Sequence, residues 1–497
     1  MVRKARDIMI NRSSQKIFNN SLMYSLGTVA SKAVGFFLVP LYTHFMSTES
    51  YGIATTIITF VSTFGIVVML SLRAAMIRFY NEYSKEKQAT FVGTVVSTVL
   101  INALIICSLL CIVNRLYMPF LFKGISFFPC VFWGVLSLGT EGIYLVYQSL
   151  LQSRQDGVKY SLNSMVYLFF HAVTVIIFVV ILKMDALGLV LSNFTTNFCF
   201  ALYGIYSMAK HKYMTFSFNA TIAKKSLKYS LPILPHNLLS HLNVYSTKLI
   251  INNSLTYILS GLYTLASQFS TILSLVQNSV NLAFRPWFIE QMQSGEEGRK
   301  QIKHMSCMII SLYSFCGIAI SLFGKEIIII MTNKAYIDSW KMIPIFIATQ
   351  LVAFVYYSHV QTLMYNVKMS KYTVVCSLSG FIANVVFSLL FVKRYGIYGV
   401  LVGQFAAQIV LAIVTVVLSR KTEKVDFGLA RMVGYIIIAS VIIALGMLIA
   451  LKFGNSLSLM EIAIKLGLIL VGFFMLILPY TKDYMQLIAG IVKKRKK

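Results

Sequence analysis

Segments of about 20 mostly apolar residues, the length a helix needs to cross the roughly 30 Å hydrocarbon core of a bilayer, recur along the whole of this 497-residue chain. Fourteen can be read, at 20–38, 51–72, 91–113, 125–149, 160–182, 186–209, 229–251, 256–281, 304–323, 341–365, 372–392, 396–419, 431–451 and 461–478. Backbone groups in hydrocarbon must satisfy their hydrogen bonds internally, so each segment is expected as a helix and the fold as an all-α integral membrane protein. Three segments, 20–38, 229–251 and 256–281, carry Ser, Asn, Gln, Lys or Pro where a lipid-facing helix carries Leu. Such residues are costly against lipid, which places these helices against a bundle interior or a wet cavity.

Composition excludes the alternatives. Hydrophobic residues make up 58% of the chain and charged residues 12%, against about 25% charged in soluble domains. A soluble enzyme, a disulfide scaffold and a disordered chain are all ruled out. The seven cysteines form no CxxC pair and mostly sit in apolar runs, as small buried hydrophobes do. There is no GxxxxGK(S/T) motif, and His236 and His241, five apart, lack HExxH or carboxylate company. No cofactor, metal site or catalytic residue is therefore expected. The gaps between segments are too short for a nucleotide-binding domain or a nucleic-acid module, so no nucleic-acid partner is expected.

The net charge of +28 comes from 44 Lys and Arg against 16 Asp and Glu. With a cytoplasmic N-terminus, 32 of the 44 fall in inside segments and 9 in outside loops, including Lys325 in the loop 324–340. Such a bias over short loops places both termini in the cytoplasm and favours an even number of spans. The basic loops then face anionic membrane lipids.

The plan repeats. Segments 1–6 and 7–12 each open with a polar helix, beginning YSLGTVASK in one and YSLPILPHN in the other, and their second helices run out in IRFYNE and FRPWFIE. The expected organisation is a basic N-terminus (1–19), an N-lobe (20–209), a basic cytoplasmic linker (210–228), a C-lobe (229–419), a basic loop (420–430), two appended helices (431–478) and a basic tail (479–497). Six spans per lobe make the repeat parallel, with two lobes rocking about a central site.

Charges within spans need a reason. Lys32 lies among Gly27, Ala30, Ser31, Ala33 and Gly35. Lys248 closes a segment that opens with Pro232 and Pro235, residues expected to make that helix irregular. Arg73 and Arg78 close the second span and Arg285 the eighth. Arginine matches a phosphate or diphosphate bidentately, and several cations in one cavity attract an anionic head group. Glu141, the one carboxylate in the middle of the first six spans, either neutralises one of these cations or carries a coupling proton. Glu461 and Lys465, four apart, suit a structural pair on one helix face.

The run NNSLMYSLGTVASKAVGFFLVPLYTHFMSTESYG (Asn19–Gly52) resembles the opening of bacterial polysaccharide biosynthesis and export proteins, the O-antigen and capsule flippases of the multidrug/oligosaccharidyl-lipid/polysaccharide exporter superfamily. NLAFRPWFIEQM (Asn281–Met292) and YGIYGVLVGQ (Tyr395–Gln404) support it. The resemblance implies an inner-membrane protein that moves an undecaprenyl-diphosphate oligosaccharide from the cytoplasmic to the outer leaflet. It also implies a proton, sodium or potential gradient as driving force, and polysaccharide polymerase and glycosyltransferases as neighbours in the same process. It assigns the basic residues of the first, second and seventh spans, here Lys32, Arg73, Arg78 and Lys248, to the diphosphate. A drug or metabolite antiporter of the same superfamily and a non-transporting scaffold of a polysaccharide assembly complex stay open as alternatives.

Overall fold

The computed structural model describes residues 35–366, 368–369 and 371–485. The first expected span lies outside them except for its last four residues, and Lys32 lies outside them too. Among the described residues all regular structure is helical, and eleven helices are long and apolar enough to cross a membrane. The chain is a multi-pass membrane protein. Contacts divide it into two compact units, Met1–Gly261 and Leu262–Lys497.

The first unit contains α1 (Val39–Phe45), α2 (Thr48–Met69), α3 (Leu72–Phe79), α4 (Lys85–Ile112), α5 (Asn114–Leu121), α6 (Phe132–Ser153), α7 (Gly157–Val175), α8 (Asp185–Lys210), α9 (Ala220–Ser230) and α10 (Leu234–Ser254). Helix α6 is its centre and packs on α8, α4 and α2. In the most apolar stretch of the α6 span 56% of residues are buried, against 22% for α4 and α7, so α6 faces protein and the other two leave most of their surface for lipid. Helix α2 is started by Ser47, whose Oγ accepts from the Ser50 N–H at 3.0 Å. One turn later, a Cβ at Gly52 would lie 2.0 Å from the carbonyl oxygen of Tyr257, and one at Gly261 would lie 2.1 Å from that of Thr48. Only glycine lets these two backbones meet.

Helix α2 does not run on into α3. Leu70 (φ 49°, ψ 29°) and Ser71 (φ 53°, ψ 22°) both adopt the left-handed conformation that non-glycine residues rarely take. Asn102 of α4 supports the break, its Nδ2 donating to the carbonyls of Val67 (2.9 Å) and Val68 (2.8 Å). A second irregularity separates α9 from α10. Pro232 lies in the intervening turn and Pro235 in the first turn of α10, where a missing N–H costs nothing. Helix α10 is the seventh expected span, shifted to begin at Leu234, but it is too polar to count among the eleven apolar helices. Its Lys248 and Asn252 are turned on α2, against which it packs within the first unit.

The second unit contains most of α11 (Tyr257–Gln293), then α12 (Gly295–Met331), α13 (Ile343–Tyr365), α14 (Tyr372–Thr422), α15 (Leu429–Phe453) and α16 (Leu459–Gly472). The 51 residues of α14 cover two expected spans, which meet at Gly396, a non-helical residue with φ 56°. Helix α12 is longer than expected and corrects one placement. Lys325, assigned by hydropathy to an outside loop, lies inside this helix and is 1% exposed. Its Nζ donates to Glu461 Oε2 at 2.6 Å, while Lys465 Nζ donates to Glu326 Oε1 at 2.5 Å and stands 2.7 Å from Glu461 Oε1. The expected Glu461–Lys465 pair thus forms, as half of a four-membered network between α12 and α16.

Candidate functional site

The break after Met69 sets the direction of α3 and hence of Arg73, which leaves α2's course and reaches a cavity of about 280 Å³ inside the first unit. Helix α6 supplies Glu141, Tyr144, Leu145 and Gln148 to its wall, positions i, i+3, i+4 and i+7 that form one helix stripe. Helix α7 supplies Tyr160, Ser164, Tyr167 and Leu168 in the same rhythm, and α8 supplies Asn197. Asp156 caps the start of α7, its Oδ1 accepting from the Lys159 N–H at 3.2 Å.

The polar groups of the wall are held in place. Tyr167 Oη donates to Asn197 Oδ1 at 2.8 Å, and Asn197 Nδ2 donates to Ser137 Oγ (3.2 Å) and Asn193 Oδ1 (3.0 Å). The Tyr144 and Tyr167 rings stack with centroids 4.5 Å apart and planes 14° apart. Such a wall is preorganised, since its side chains need not reorder to meet a ligand. Arg73 makes one long contact, Nη2 to Gln152 Oε1 at 3.5 Å. Glu141 lies against α2 where Gly65 leaves room, a Cβ there falling 3.7 Å from its Oε2. Neither Arg73 nor Glu141 forms an ion pair with a described residue. The cavity therefore offers a strong multiple donor, a carboxylate, aromatic faces and neutral hydrogen-bonding groups together.

Of the residues singled out from sequence, Arg73 and Glu141 are brought to this one cavity. Arg78 is exposed further along α3 and pairs with Glu82. Lys248 is 4% exposed on α10, its Nζ donating to the Thr55 carbonyl of α2 at 2.9 Å, with Asn252 Nδ2 one turn on donating to Thr56 Oγ1 at 3.0 Å. Arg285 is exposed on α11 in the second unit. Tyr144, Gln148, Tyr160, Ser164, Tyr167 and Asn197 were not singled out. The stripe Glu141, Tyr144, Gln148 within EGIYLVYQ was the signal available.

A family model described as polysaccharide biosynthesis protein matches residues 17–292, a stretch that contains both the Asn19–Gly52 and the Asn281–Met292 runs. Protein 1 of the Lsg locus of Haemophilus influenzae is 21% identical over 360 residues, covering 70% of this chain and 85% of that protein. Among solved structures, the lipid II flippase MurJ in an inward closed conformation superposes with a TM-score of 0.70 at 16% identity, covering 93% of this chain and 100% of that one. A mutant of the Vibrio cholerae MATE transporter VcmN superposes with a TM-score of 0.59 at 14% identity, covering 83% and 98%. At these identities the likeness is one of fold.

Proposed function

Because the chain belongs to the polysaccharide biosynthesis protein family, we propose that it flips a polyprenyl-diphosphate-linked oligosaccharide from the cytoplasmic to the outer leaflet of a bacterial inner membrane by alternating access. The sugar diphosphate head would pass hydrocarbon unaided only at a cost on the order of tens of kcal/mol, whereas the polyprenyl tail is at home there. A protein need only shelter the head, and no covalent bond changes.

The observation that carries the reading is that Arg73 and Glu141 both line the cavity of the first unit and neither forms an ion pair with a described residue. Arg73 is the diphosphate ligand in this proposal, with Lys32 of the first span as its partner; Arg78 and Arg285 attract the head group from exposed positions, and Lys248 braces α10 on α2 while contributing positive potential. Glu141 carries the coupling proton or balances Arg73. Glycosyltransferases supply the carrier and a polymerase consumes it, while the basic loops hold anionic lipid. The carboxylate among three tyrosines also suits a cation, which keeps a drug or metabolite antiporter as the second reading.

The test is leaflet exposure of a labelled polyprenyl-diphosphate oligosaccharide in proteoliposomes under imposed proton, sodium or potential gradients. Movement by the wild type and its loss in folded Arg73→Ala is the expected result. No movement under any gradient, with uptake of a cationic dye instead, would establish the antiporter reading; movement of neither would leave a scaffold.

A further inference from the structure

The linker over residues 210–228 carries charge of one sign. It holds five lysines, and no Asp or Glu occurs anywhere between Asp185 and Glu290. Lys225 is partly engaged, its Nζ lying 3.5 Å from Glu82 Oε2 and 4.6 Å from the centroid of the Phe79 ring. Lys210, Lys212, Lys224 and Lys228 are exposed and form no ion pair with a described residue. Between these two pairs of lysines the chain leaves Phe216 83% and Phe218 55% exposed. Two bare phenylalanine rings three residues apart in span, set in a basic surface, ask what covers them.

The rings are held out by a backbone pinned on either side of them. The Tyr213 ring lies under the Arg154 guanidinium, 3.8 Å from its carbon, and Met214 is buried. The Thr215 N–H donates to the Ala89 carbonyl of α4 at 3.1 Å, and the Asn219 N–H donates to Thr94 Oγ1 at 3.2 Å. A Cβ at Gly93 would fall 1.8 Å from the Thr215 carbonyl oxygen, so the linker lies on α4 where only glycine admits it. Asn219 Oδ1 then accepts from the Thr221 and Ile222 N–H groups and starts α9, which packs on α3 and α4. The crossing between Ala89 and Thr94 also fixes the depth of the linker. The third expected span begins at residue 91, and α4 leaves most of its surface for lipid. Phe216 and Phe218 therefore stand where hydrocarbon gives way to head groups, with lysines on both sides whose long side chains reach the phosphate level.

We infer that residues 210–228 form a binding surface for anionic phospholipids of the cytoplasmic leaflet, in which Phe216 and Phe218 seat among the first acyl carbons while Lys210, Lys212, Lys224 and Lys228 hold the phosphates. A cluster of four free lysines beside buried-depth aromatic rings is the combination that selects an anionic over a zwitterionic leaflet. An acidic soluble protein would match the charge, but to cover the rings it would have to reach the edge of the hydrocarbon. The inference rests on the flippase reading only for the side of the membrane on which the linker lies, and it names the groups that hold the lipid there.

The full chain carrying Phe216→p-benzoylphenylalanine is placed in nanodiscs of equimolar phosphatidylglycerol and phosphatidylcholine and irradiated, and the captured lipid is identified by mass spectrometry. Phe169→p-benzoylphenylalanine, at a 73% exposed position of α7, reports the lipid that any membrane-facing residue meets. Position 216 is expected to capture phosphatidylglycerol over phosphatidylcholine at least about 5-fold, and position 169 to capture both alike. Adding Lys210→Gln, Lys212→Gln, Lys224→Gln and Lys228→Gln, all at exposed positions, should bring the ratio at 216 to that at 169. The same ratio at 216 and 169 in the otherwise unaltered chain overturns the inference, as does a preference at 216 that survives loss of the four lysines. Capture of no lipid at 216, with a soluble protein captured there in whole cells, overturns it in favour of a protein partner. Carrier movement in the same preparation reports separately: selective capture without movement keeps the lipid surface and removes the flippase, and movement without selective capture does the reverse.

Discussion

In the second unit Lys325, Glu326, Glu461 and Lys465 are each less than a tenth exposed and close on one another at 2.5–2.7 Å. In the first unit Arg73 and Glu141 face a cavity, and neither enters an ion pair with a described residue. Both regions hold charge within a membrane protein, where it is expensive. The network answers the expense by cancelling two cations against two carboxylates, so it fixes how α16 lies on α12 and is closed to ligands. The cavity keeps its charges available. Charge alone therefore does not mark a site; charge with no ion pair to a described residue, beside a void, does.

Removing one member of the network is expected to have the largest effect. Lys465→Met takes from Glu326 its ion-pair partner and leaves Glu461 with Lys325, and should lower stability by about 3–5 kcal/mol in denaturant unfolding in detergent, whereas replacing all four residues with Met and Gln should recover most of it. A single substitution that costs under about 1 kcal/mol would break the contrast with the cavity, since the network would then not be what holds α16. Next comes Asn102→Leu, which strips the Val67 and Val68 carbonyls of their donor at the α2–α3 break. A loss of about 2 kcal/mol in the same unfolding assay is expected.

Arg73→Ala should act the other way round. Its unfolding curve should stay within about 0.5 kcal/mol of wild type, while carrier movement falls at least about tenfold, equivalent to about 1.4 kcal/mol. Equal losses of stability and transport would make Arg73 a structural residue and erase the distinction. The smallest effect concerns an exposed pair. Asp426, between α14 and α15, is held below the usual carboxylate range, first by the hydrogen bond from Lys303 and further by the Gly428 N–H. Its stabilising contribution is complete above the unfolded value near 3.9 and lost as pH falls through the lower folded one. Asp426→Asn should flatten that acid limb, and added salt should do much the same, because the pair is solvated.

Hydropathy made the helices legible because a segment that must satisfy its own backbone in lipid is long, apolar and uninterrupted. It misjudged Lys325 because a window that ends at the first charge cannot see a counter-charge that arrives from 136 residues away. The Glu461–Lys465 spacing was legible, being local; its two partners on α12 were not. At the site, Arg73 and Glu141 stood out as ions in apolar runs. Gln148 did not, since a neutral amide in a helix is common and only the fold shows that it shares a cavity wall with them. The left-handed turn at Leu70 and Ser71 was likewise silent: neither residue type favours it, and it depends on Asn102 from another helix.

The four-charge network also sets a schedule. Ribosomes add roughly 5–20 residues per second, so Lys325 and Glu326 emerge about 7–30 s before Glu461 and Lys465 exist to meet them. During that interval α12 must wait with its own adjacent lysine and glutamate as the only compensation, or be retained by the insertion machinery. A nascent chain stopped before α16 would carry the mark of its incompleteness in the bilayer, legible to membrane proteases, and a finished one would have erased it.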